Sequence, residues 1–179
     1  MKFFEKYFNS FNSFKKDVEK KETLPKYVKP DGTKIYEQEN EFGLFVYEIS
    51  PDCTVISRSY DKNGNMFFDW IRRRNLEIAH LYNESKKIVY EYNFLYDEKN
   101  ILRKKIETLY EYNDEGKKIK ETVITTPSNL KVEKYYDDKE NLFETIEFKG
   151  SVKTWYDKDG NAYKRVIDKG SGGIIEEDL

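Results

Sequence analysis

The spacing of hydrophobic residues changes once along the chain, and the change separates a helical from a sheet-forming part. Near the amino terminus, large aromatic side chains recur at intervals of three and four: Phe3, Tyr7, Phe11 and Phe14, with Phe4 and Phe8 beside them. That spacing places them along one side of a helix, and Pro25 and Pro30 prevent it from continuing. The sequence predicts an amphipathic helix in residues 1–24 that packs on or caps the rest of the domain. Contact with a partner or a membrane surface is the alternative.

From about residue 33 onward, hydrophobic residues alternate with polar ones, which is the pattern of a half-buried β-strand. One such strand aligns Ile88, Tyr90, Tyr92, Phe94 and Tyr96, and another aligns Leu102, Ile106, Tyr110 and Tyr112. Later strands align Leu142, Ile146 and Phe148, and then Val152 and Tyr156. The part of the chain after the prolines is therefore predicted to form a sheet.

Six short segments that begin with tyrosine followed by aspartate or asparagine recur between these strands. They start at Tyr60, Tyr82, Tyr96, Tyr112, Tyr136 and Tyr156, and we call them the tyrosine-led hexads. The Asp or Asn can accept hydrogen bonds from backbone amides two residues on, and the fourth turn residue, often Gly or Asn, tolerates a positive φ. Each hexad is thus predicted to close a short hairpin. Where the glycine is replaced, at Lys86, Asn100 and Glu140, we expect bulges and unequal strand lengths.

Successive hairpins make neighbouring strands antiparallel, so the predicted fold is mainly β. It is a long, twisted antiparallel β-meander, open or curled into a half-barrel, with one N-terminal amphipathic α-helix. One face of the sheet is expected to be aromatic and the other charged. The predicted parts are the helix in 1–24, the repeat domain in 25–168 and a flexible acidic tail in 169–179. A sheet edge could pair with another strand, in a homodimer or with a partner.

Composition and charge narrow the classes of partner. Lys and Arg number 32 against 34 Asp and Glu, a net charge of −2, so neither nucleic acid nor an anionic membrane is expected as a partner. The single cysteine, Cys53, excludes an intramolecular disulfide and favours a reducing compartment. The N-terminal segment carries Glu5 and Lys6 within its aromatic run, and no export signal or membrane span is predicted. We expect a cytoplasmic location.

Candidate catalytic and metal-binding residues are few. His80 and Cys53 could form a dyad, but a lone histidine in a strand is usually structural. The segments after Tyr60 and Tyr156 resemble the opening of an EF-hand calcium loop. Arg72 and Asp168, however, occupy the positions where such a loop carries its final glutamate. We expect hairpin turns rather than a calcium site, no cofactor and no catalytic residues.

A contact surface is indicated where rigid aromatic residues neighbour arginines, a mixture that is common in binding hot spots. The segment around residue 70 supplies Trp70, Arg72, Arg73 and Arg74, and Tyr90, Tyr92 and Trp155 are weaker candidates. The alternative is that Trp70 lies in the core and that the arginines are a solvated strand end.

The pattern Tyr-Asp-x-x-Gly-Asn followed by an apolar residue resembles the YD repeats of bacterial Rhs-type and teneurin-like shells. The resemblance spans roughly residues 57–167 and is best at Tyr60 to Met66 and at Tyr156 to Ala162. The chain is too short to form such a shell. Small bacterial proteins with similar hairpin arrays are encoded near toxins, which implies a non-catalytic immunity or antitoxin protein that neutralises a bacterial toxin by direct binding. The alternatives are a surface or secreted module that binds carbohydrate or a cell-surface partner and, third, a hydrolase.

Overall fold

The computed structural model describes residues 13, 15–18, 20 and 23–179 of the chain. Its contacts divide the chain into two units, residues 1–87 and 88–179. Within each unit, every strand pairs antiparallel with the next strand along the chain. The predicted mainly β, antiparallel meander is confirmed.

Unit 1 contains six strands among its described residues. They are β1 (Tyr27–Val28), β2 (Lys34–Asn40), β3 (Gly43–Ile49), β4 (Val55–Tyr60), β5 (Met66–Arg73) and β6 (Leu76–Tyr82). Strand β1 is short because Pro25 and Pro30 flank it. Turns form at residues 30–34 and 50–54, on either side of β2 and β3. In each, an aspartate Oδ1 accepts a hydrogen bond from the amide of a threonine two residues on.

The core of unit 1 lies on one face of its sheet. Tyr47, Ser57, Trp70 and Ala79 are paired in one cross-strand row, and all four are buried. Ser57 is small and lies between two large aromatic residues, so the rings of Tyr47 and Trp70 stack with centroids 6.4 Å apart. Alternation of small and large side chains along such a row lets a face with several aromatic rings pack closely.

A short helical segment lies beside this core. Residues 13 and 15–18 are helical, and Val18 is buried with only 2% of its surface exposed. The Lys15 ammonium lies 4.2 Å from the centroid of the Trp70 ring, a cation–π contact. The end of the predicted helix therefore lies against the sheet of unit 1. Its aromatic stripe, Phe3 to Phe14, lies outside the described residues.

Unit 2 contains eight strands and a 3₁₀ turn at Gly170–Gly172. The strands are β7 (Ile88–Tyr96), β8 (Leu102–Tyr112), β9 (Lys118–Thr126), β10 (Leu130–Tyr136), β11 (Leu142–Lys149), β12 (Val152–Asp157), β13 (Ala162–Asp168) and β14 (Ile174–Asp178). The predicted flexible tail at 169–179 is wrong, because β14 pairs with β13. The glycines that suggested mobility form the turn, and the alternation of outward and inward residues in β14 supports a strand.

Every tyrosine-led hexad forms the predicted hairpin turn. In the first one, Gly64 N donates to Asp61 O at 3.0 Å and Asp61 N donates to Asn65 O at 2.9 Å, and the equivalent bonds recur in the other five. The fourth turn residue has a positive φ in all six: Gly64, Lys86, Asn100, Gly116, Glu140 and Gly160.

A β-bulge follows the turn in the returning strand. Tyr60 pairs with Met66 whereas Ser59 pairs with Phe68, so Phe67 is an extra residue. The same register shift follows the hexads that begin at Tyr96, Tyr112, Tyr136 and Tyr156. Hexads with and without the turn glycine both show it, so our expectation that loss of the glycine causes the bulges is wrong. The bulge belongs to the hairpin itself.

Of the residues that the structure describes, no helix is both long enough and apolar enough to cross a membrane.

Candidate protein-binding face

One face of unit 2 collects aromatic residues from most of its strands. Because directly paired residues of a sheet share a face, the register defines a continuous row across seven strands. It runs through Tyr90, Leu109, Thr122, Glu133, Ile146, Trp155 and Lys164. The aromatic residues of this face are Tyr90, Tyr92, Phe94, Tyr96, Tyr135, Phe143, Phe148, Trp155 and Tyr163, and its lysines are Lys105, Lys120, Lys131, Lys153 and Lys164. We call it the lysine-aromatic face.

Lysine side chains lie across the rings of this face. The Lys153 ammonium is 4.2 Å from the centroid of Trp155 and 5.2 Å from that of Phe148. Lys131 is 4.7 Å from the Phe148 centroid, and Lys105 is 5.4 Å from that of Tyr92. Such contacts cover part of each ring with the aliphatic stem of the lysine and leave the ammonium near water.

This arrangement corrects the prediction of one aromatic and one charged face. On the lysine-aromatic face of unit 2, charged and aromatic residues alternate with each other. The opposite face is also mixed: Lys118 lies 4.1 Å from the Tyr136 centroid, and Glu121 accepts hydrogen bonds from Lys134 Nζ and Tyr136 Oη, both at 3.1 Å. Period-two spacing predicts which residues share a face. It does not predict that charged and aromatic residues lie on different faces, because the long aliphatic stems of lysines pack well on rings.

Carboxylates fix the lysines in place. Glu133 is 2.6 Å from Lys131 Nζ and 3.3 Å from Lys120 Nζ, and it accepts a hydrogen bond from Tyr135 Oη at 2.7 Å. Burial raises the pKa of Glu133, but the hydrogen bonds from Lys131, Tyr135 and Lys120 outweigh it and lower the pKa to about 2. Glu133 is therefore ionised at neutral pH.

A second carboxylate supports the aromatic residues of β7. Glu107 accepts a hydrogen bond from Tyr90 Oη at 2.7 Å and pairs with Lys105 Nζ at 2.9 Å. Burial raises the pKa of the Glu107 carboxyl, yet these two partners bring it below its ordinary value. The pKa of Tyr90 is raised, first by burial and then by its hydrogen bonds. The rings of Tyr90 and Tyr92 lie 4.3 Å apart, and those of Tyr92 and Phe94 stack at 5.7 Å.

The bulges expose two aromatic residues on this face. Phe143 and Tyr163 are the extra residues after the hexads at Tyr136 and Tyr156, and 51% and 41% of their surfaces are exposed. Phe143 contacts Tyr135, with ring centroids 6.4 Å apart, and Tyr163 Oη donates to Glu144 Oε1 at 2.5 Å. Sequence reasoning missed both residues. The signal was available, because both lie seven positions after the first tyrosine of a hexad.

Of the residues predicted to contact a partner, three lie on this face, with Tyr90 and Tyr92 adjacent on β7 and Trp155 five strands away on β12. Tyr90 and Trp155 belong to the same cross-strand row, and Tyr92 is two residues from Tyr90 on the same side of β7. All three are half-buried.

The other four predicted contact residues lie in unit 1. Trp70 is buried against Tyr47, so its assignment as a contact residue is corrected to a core residue. Arg72 is half-buried, with its Nε 3.4 Å from Glu77 Oε1. Arg73 and Arg74 are exposed at the β5–β6 turn, where Arg74 has a φ of 43°. Arg73 and Arg74 therefore lie at an exposed strand end, and contact of the three arginines with a partner stays a prediction.

The conceivable Cys53–His80 dyad does not form. Cys53 is exposed in the β3–β4 turn, just before Val55, which pairs with Arg72. His80 on β6 pairs with Asp69, which lies three residues from Arg72 along β5. Cys53 and His80 are therefore about 10 Å apart along the strand direction. They are also two strand spacings of about 5 Å apart across the sheet, from β4 to β6. His80 has a structural partner in the neighbouring strand, since its Nδ1 lies 2.7 Å from Asp69 Oδ1.

Asp69 also binds a second side chain. Tyr82 Oη donates to Asp69 Oδ2 at 3.0 Å, and burial, followed by this hydrogen bond, raises the pKa of Tyr82 to about 12. His80, Asp69 and Tyr82 form a polar cross-strand cluster that holds β5 and β6 together.

The hexad aspartates bind their own backbone. Asp61 Oδ1 accepts hydrogen bonds from the amides of Asn63 and Asn65, both at 2.8 Å, and strands flank the segment. The part of the chain that the structure describes contains no group of three or more His, Cys, Asp or Glu residues placed to hold a metal ion.

No protein-family model matches this sequence, and a search of curated proteins returned no match.

Proposed function

We propose that this chain is a non-catalytic protein-binding module of the immunity or antitoxin type, which acts in the bacterial cytoplasm and neutralises a toxin by direct binding. The lysine-aromatic face of unit 2 is the contact surface. The observation that carries the proposal is the exposure of Phe143 and Tyr163 beside an ordered array of rings on a face that is not a cleft.

The rings of this face are already ordered, which favours binding. An aromatic side chain that is held by neighbouring lysines loses little conformational entropy when a partner covers it. Phe143 and Tyr163 project where the bulges place them, and bulges commonly direct a side chain toward a functional surface. Large, rigid and partly exposed rings are typical hot-spot residues.

The charges of the face favour a folded protein over a polyanion. Lysines alternate with ionised carboxylates such as Glu107 and Glu133, so the face does not present one continuous sign of charge. Nucleic acids and anionic membranes require a positive surface. A partner protein with its own mixed charges can instead be selected by local complementarity.

The protonation states of the face fit binding better than catalysis. A general acid or base needs a pKa near the working pH. The pKa of Glu133 is held near 2, that of Glu107 below its ordinary value, and that of Tyr90 above its own. These groups keep one protonation state near neutral pH, as structural groups do.

A second candidate is a module that binds carbohydrate. The half-exposed rings of Phe143 and Tyr163, with Glu144 beside them, would suit stacking on a sugar and hydrogen bonding to its hydroxyls. We place it second because the lysines and rings form a broad face, whereas ligand sites are usually concave.

The experiment measures binding to the purified products of the genes that neighbour its own, by biolayer interferometry, and inhibition of any toxic activity that those products have. The test variant carries Phe143→Ala and Tyr163→Ala. The control is Tyr27→Ala, because Tyr27 is 50% exposed but lies in unit 1. One hot-spot ring contributes about 2 kcal/mol, so the double variant should bind at least about 30-fold more weakly, while the control binds like the wild type.

Three results would contradict the proposal. The first is that no neighbouring product binds. The second is that the double variant binds its partner as tightly as the wild type does. The third is a glycan array on which the wild type binds an oligosaccharide and the double variant does not, which would favour the carbohydrate-binding module instead.

A further inference from the structure

Strand β14 has β13 as its one neighbouring strand among the described residues of unit 2. Its hydrogen bonds show which of its residues form the other backbone edge, which we call the open edge. Leu179 N donates to Tyr163 O at 3.0 Å, and Lys169 N donates to Gly173 O at 3.0 Å. In an antiparallel pair, residues whose backbone N–H and C=O bond the neighbouring strand alternate with residues whose backbone groups point to the other side. Residues 173, 175, 177 and 179 therefore bond toward β13.

The intervening residues of β14 direct their backbone groups outward. Ile174, Glu176 and Asp178 are all exposed, and 71% of the Ile174 surface is accessible. Strand β14 pairs only with β13 among the described strands of unit 2. Three N–H and three C=O groups are therefore aligned to accept one more strand.

The charge of this edge selects the kind of strand. Glu176 forms an ion pair with Lys164, and Glu177 lies 3.7 Å from Arg165. Two of the three acidic residues of β14 thus have a basic partner on β13, the strand opposite the open edge. Asp178 is opposite Lys164 in the register. Glu176 and Asp178 carry their side chains on the lysine-aromatic face and directly border the open edge.

A second copy of this chain would fit poorly at the edge. Two β14 strands related by a two-fold axis at Glu176 would place Glu176 opposite Glu176 and Ile174 opposite Asp178. Like charges that are directly opposite destabilise a strand pair, and an apolar residue opposite a carboxylate gains little. The earlier expectation of a homodimer through a sheet edge is therefore not favoured at β14.

We propose that the edge of β14 binds an extended basic segment of a partner protein by strand addition. Antiparallel alignment puts basic residues opposite Asp178 and Glu176 and an apolar residue opposite Ile174. The preferred segment is thus basic, any, basic, any, apolar in chain order. Backbone hydrogen bonds supply the affinity and the two acidic side chains supply the selectivity. This site is separate from the ring contacts of Phe143 and Tyr163 and does not depend on them.

The test uses a fluorescein-labelled, capped peptide with the core Lys-Thr-Lys-Thr-Val and a charge-reversed peptide with the core Glu-Thr-Glu-Thr-Val, measured by fluorescence anisotropy on the full chain. The decisive variant is Glu176→Pro. Proline removes the outward N–H of residue 176 but none of the bonds to β13, so β14 itself should remain. Glu177→Pro is the contrast, because it removes a bond to β13.

We expect the basic peptide to bind the wild type at least about tenfold more tightly than the acidic one, and Glu176→Pro to lose about tenfold or more in affinity. Circular dichroism checks that the variant keeps its sheet. If the variant loses its sheet, amide hydrogen exchange on the wild type tests strand addition instead. The peptide should protect the amides of residues 174, 176 and 178 and leave those of 175 and 177 unchanged.

Equal affinity of the two peptides, unchanged binding by a folded Glu176→Pro variant, or no added protection at the three outward amides would each overturn the proposal. So would a homodimer in light scattering that Glu176→Pro dissociates, because a second copy would then occupy the edge. Phe143→Ala with Tyr163→Ala should leave peptide binding unchanged, so failure of the proposed function and failure of strand addition can be told apart.

Discussion

Gly43 should be far less tolerant of substitution than Gly64, although both have a positive φ. Gly43 begins β3 with a φ of 130°, and an added Cβ would lie 2.0 Å from the backbone oxygen of Tyr60 and 2.8 Å from the carbonyl carbon of Asp61. Gly64 has a φ of 80°, and an added Cβ there would meet nothing within 4 Å. Gly64 reports the cost of a positive φ alone, whereas Gly43 combines a φ further from the left-handed well with a clash against the backbone of β4 and the turn after it.

The two costs can be estimated. An alanine in the left-handed region costs about 1–2 kcal/mol, and its lower entropy in the unfolded chain returns about 0.4–1 kcal/mol. Gly64→Ala should therefore destabilise by about 1 kcal/mol. Gly43→Ala adds a clash with backbone that is held in place, because Leu44 pairs with Tyr60. Strands β3 and β4 must separate locally, and the total should reach about 3 kcal/mol or more.

The assay is urea unfolding followed by tryptophan fluorescence. The chain has two tryptophans, Trp70 in unit 1 and Trp155 in unit 2, so a Trp155→Phe background makes Trp70 the reporter of the unit that contains both glycines. A difference of about 2 kcal/mol between the variants should also appear as about 4–8 °C in Tm. Equal destabilisation by Gly43→Ala and Gly64→Ala would refute the close approach of β3 to the Tyr60 carbonyl.

Three further predictions concern packing, charge and turn strain. Val18→Ala should destabilise unit 1 by about 1.5–2.5 kcal/mol in the same assay, because the side chain is buried. Glu133→Gln should cost about 1–2 kcal/mol at pH 7 in urea unfolding, and this difference should vanish as the pH approaches 2. Lys86→Gly should stabilise by about 0.5–1 kcal/mol, since φ is 60° there. Glu140→Gly should gain less in the same measurement, because Glu140 Oε1 accepts the Lys118 amide at 2.8 Å.

The turns could be predicted from the sequence because their chemistry is local. An aspartate that can bond amides two and four residues on specifies the hairpin wherever it occurs, as Asp61, Asp97, Asp137 and Asp157 do. The fourth turn residue has a positive φ even where it is not glycine, because the closed turn requires that conformation. Strands with alternating polar and apolar residues, joined by such turns, are therefore predicted to form an antiparallel meander.

The division of faces could not be predicted, because it depends on contacts between strands. The register shift after five of the tyrosine-led hexads changes which side the returning strand presents, and at two of them it places Phe143 and Tyr163 on the lysine-aromatic face. Trp70 was misassigned because composition alone does not show that its ring stacks against that of Tyr47 across the strands. The last strand was missed because a glycine-rich segment reads as mobile until its partner strand is known.

The two units organise their aromatic residues differently, and acid should distinguish them. Unit 1 buries its rings on one face, whereas unit 2 holds half-exposed rings with lysines that depend on ionised carboxylates. Each unit has three turn aspartates with a lowered pKa: Asp31, Asp52 and Asp61, and Asp97, Asp137 and Asp157. These aspartates are equal in number in the two units. Among the described glutamates with a lowered pKa, Glu48 is in unit 1, whereas Glu107, Glu121 and Glu133 are in unit 2.

A carboxylate whose folded pKa lies below its unfolded value stabilises the fold above the unfolded pKa, and that stability is lost as the pH falls toward the folded value. Unit 2 should therefore lose more stability than unit 1 between about pH 4.5 and pH 2. Acid titrations of the Trp70→Phe and Trp155→Phe variants, each read by the remaining tryptophan, should show unit 2 unfolding at the higher pH. Glu133→Gln should bring the two transitions closer together. A single transition at one pH for both reporters, or earlier loss of unit 1, would show that the carboxylates do not hold the lysine-aromatic face together.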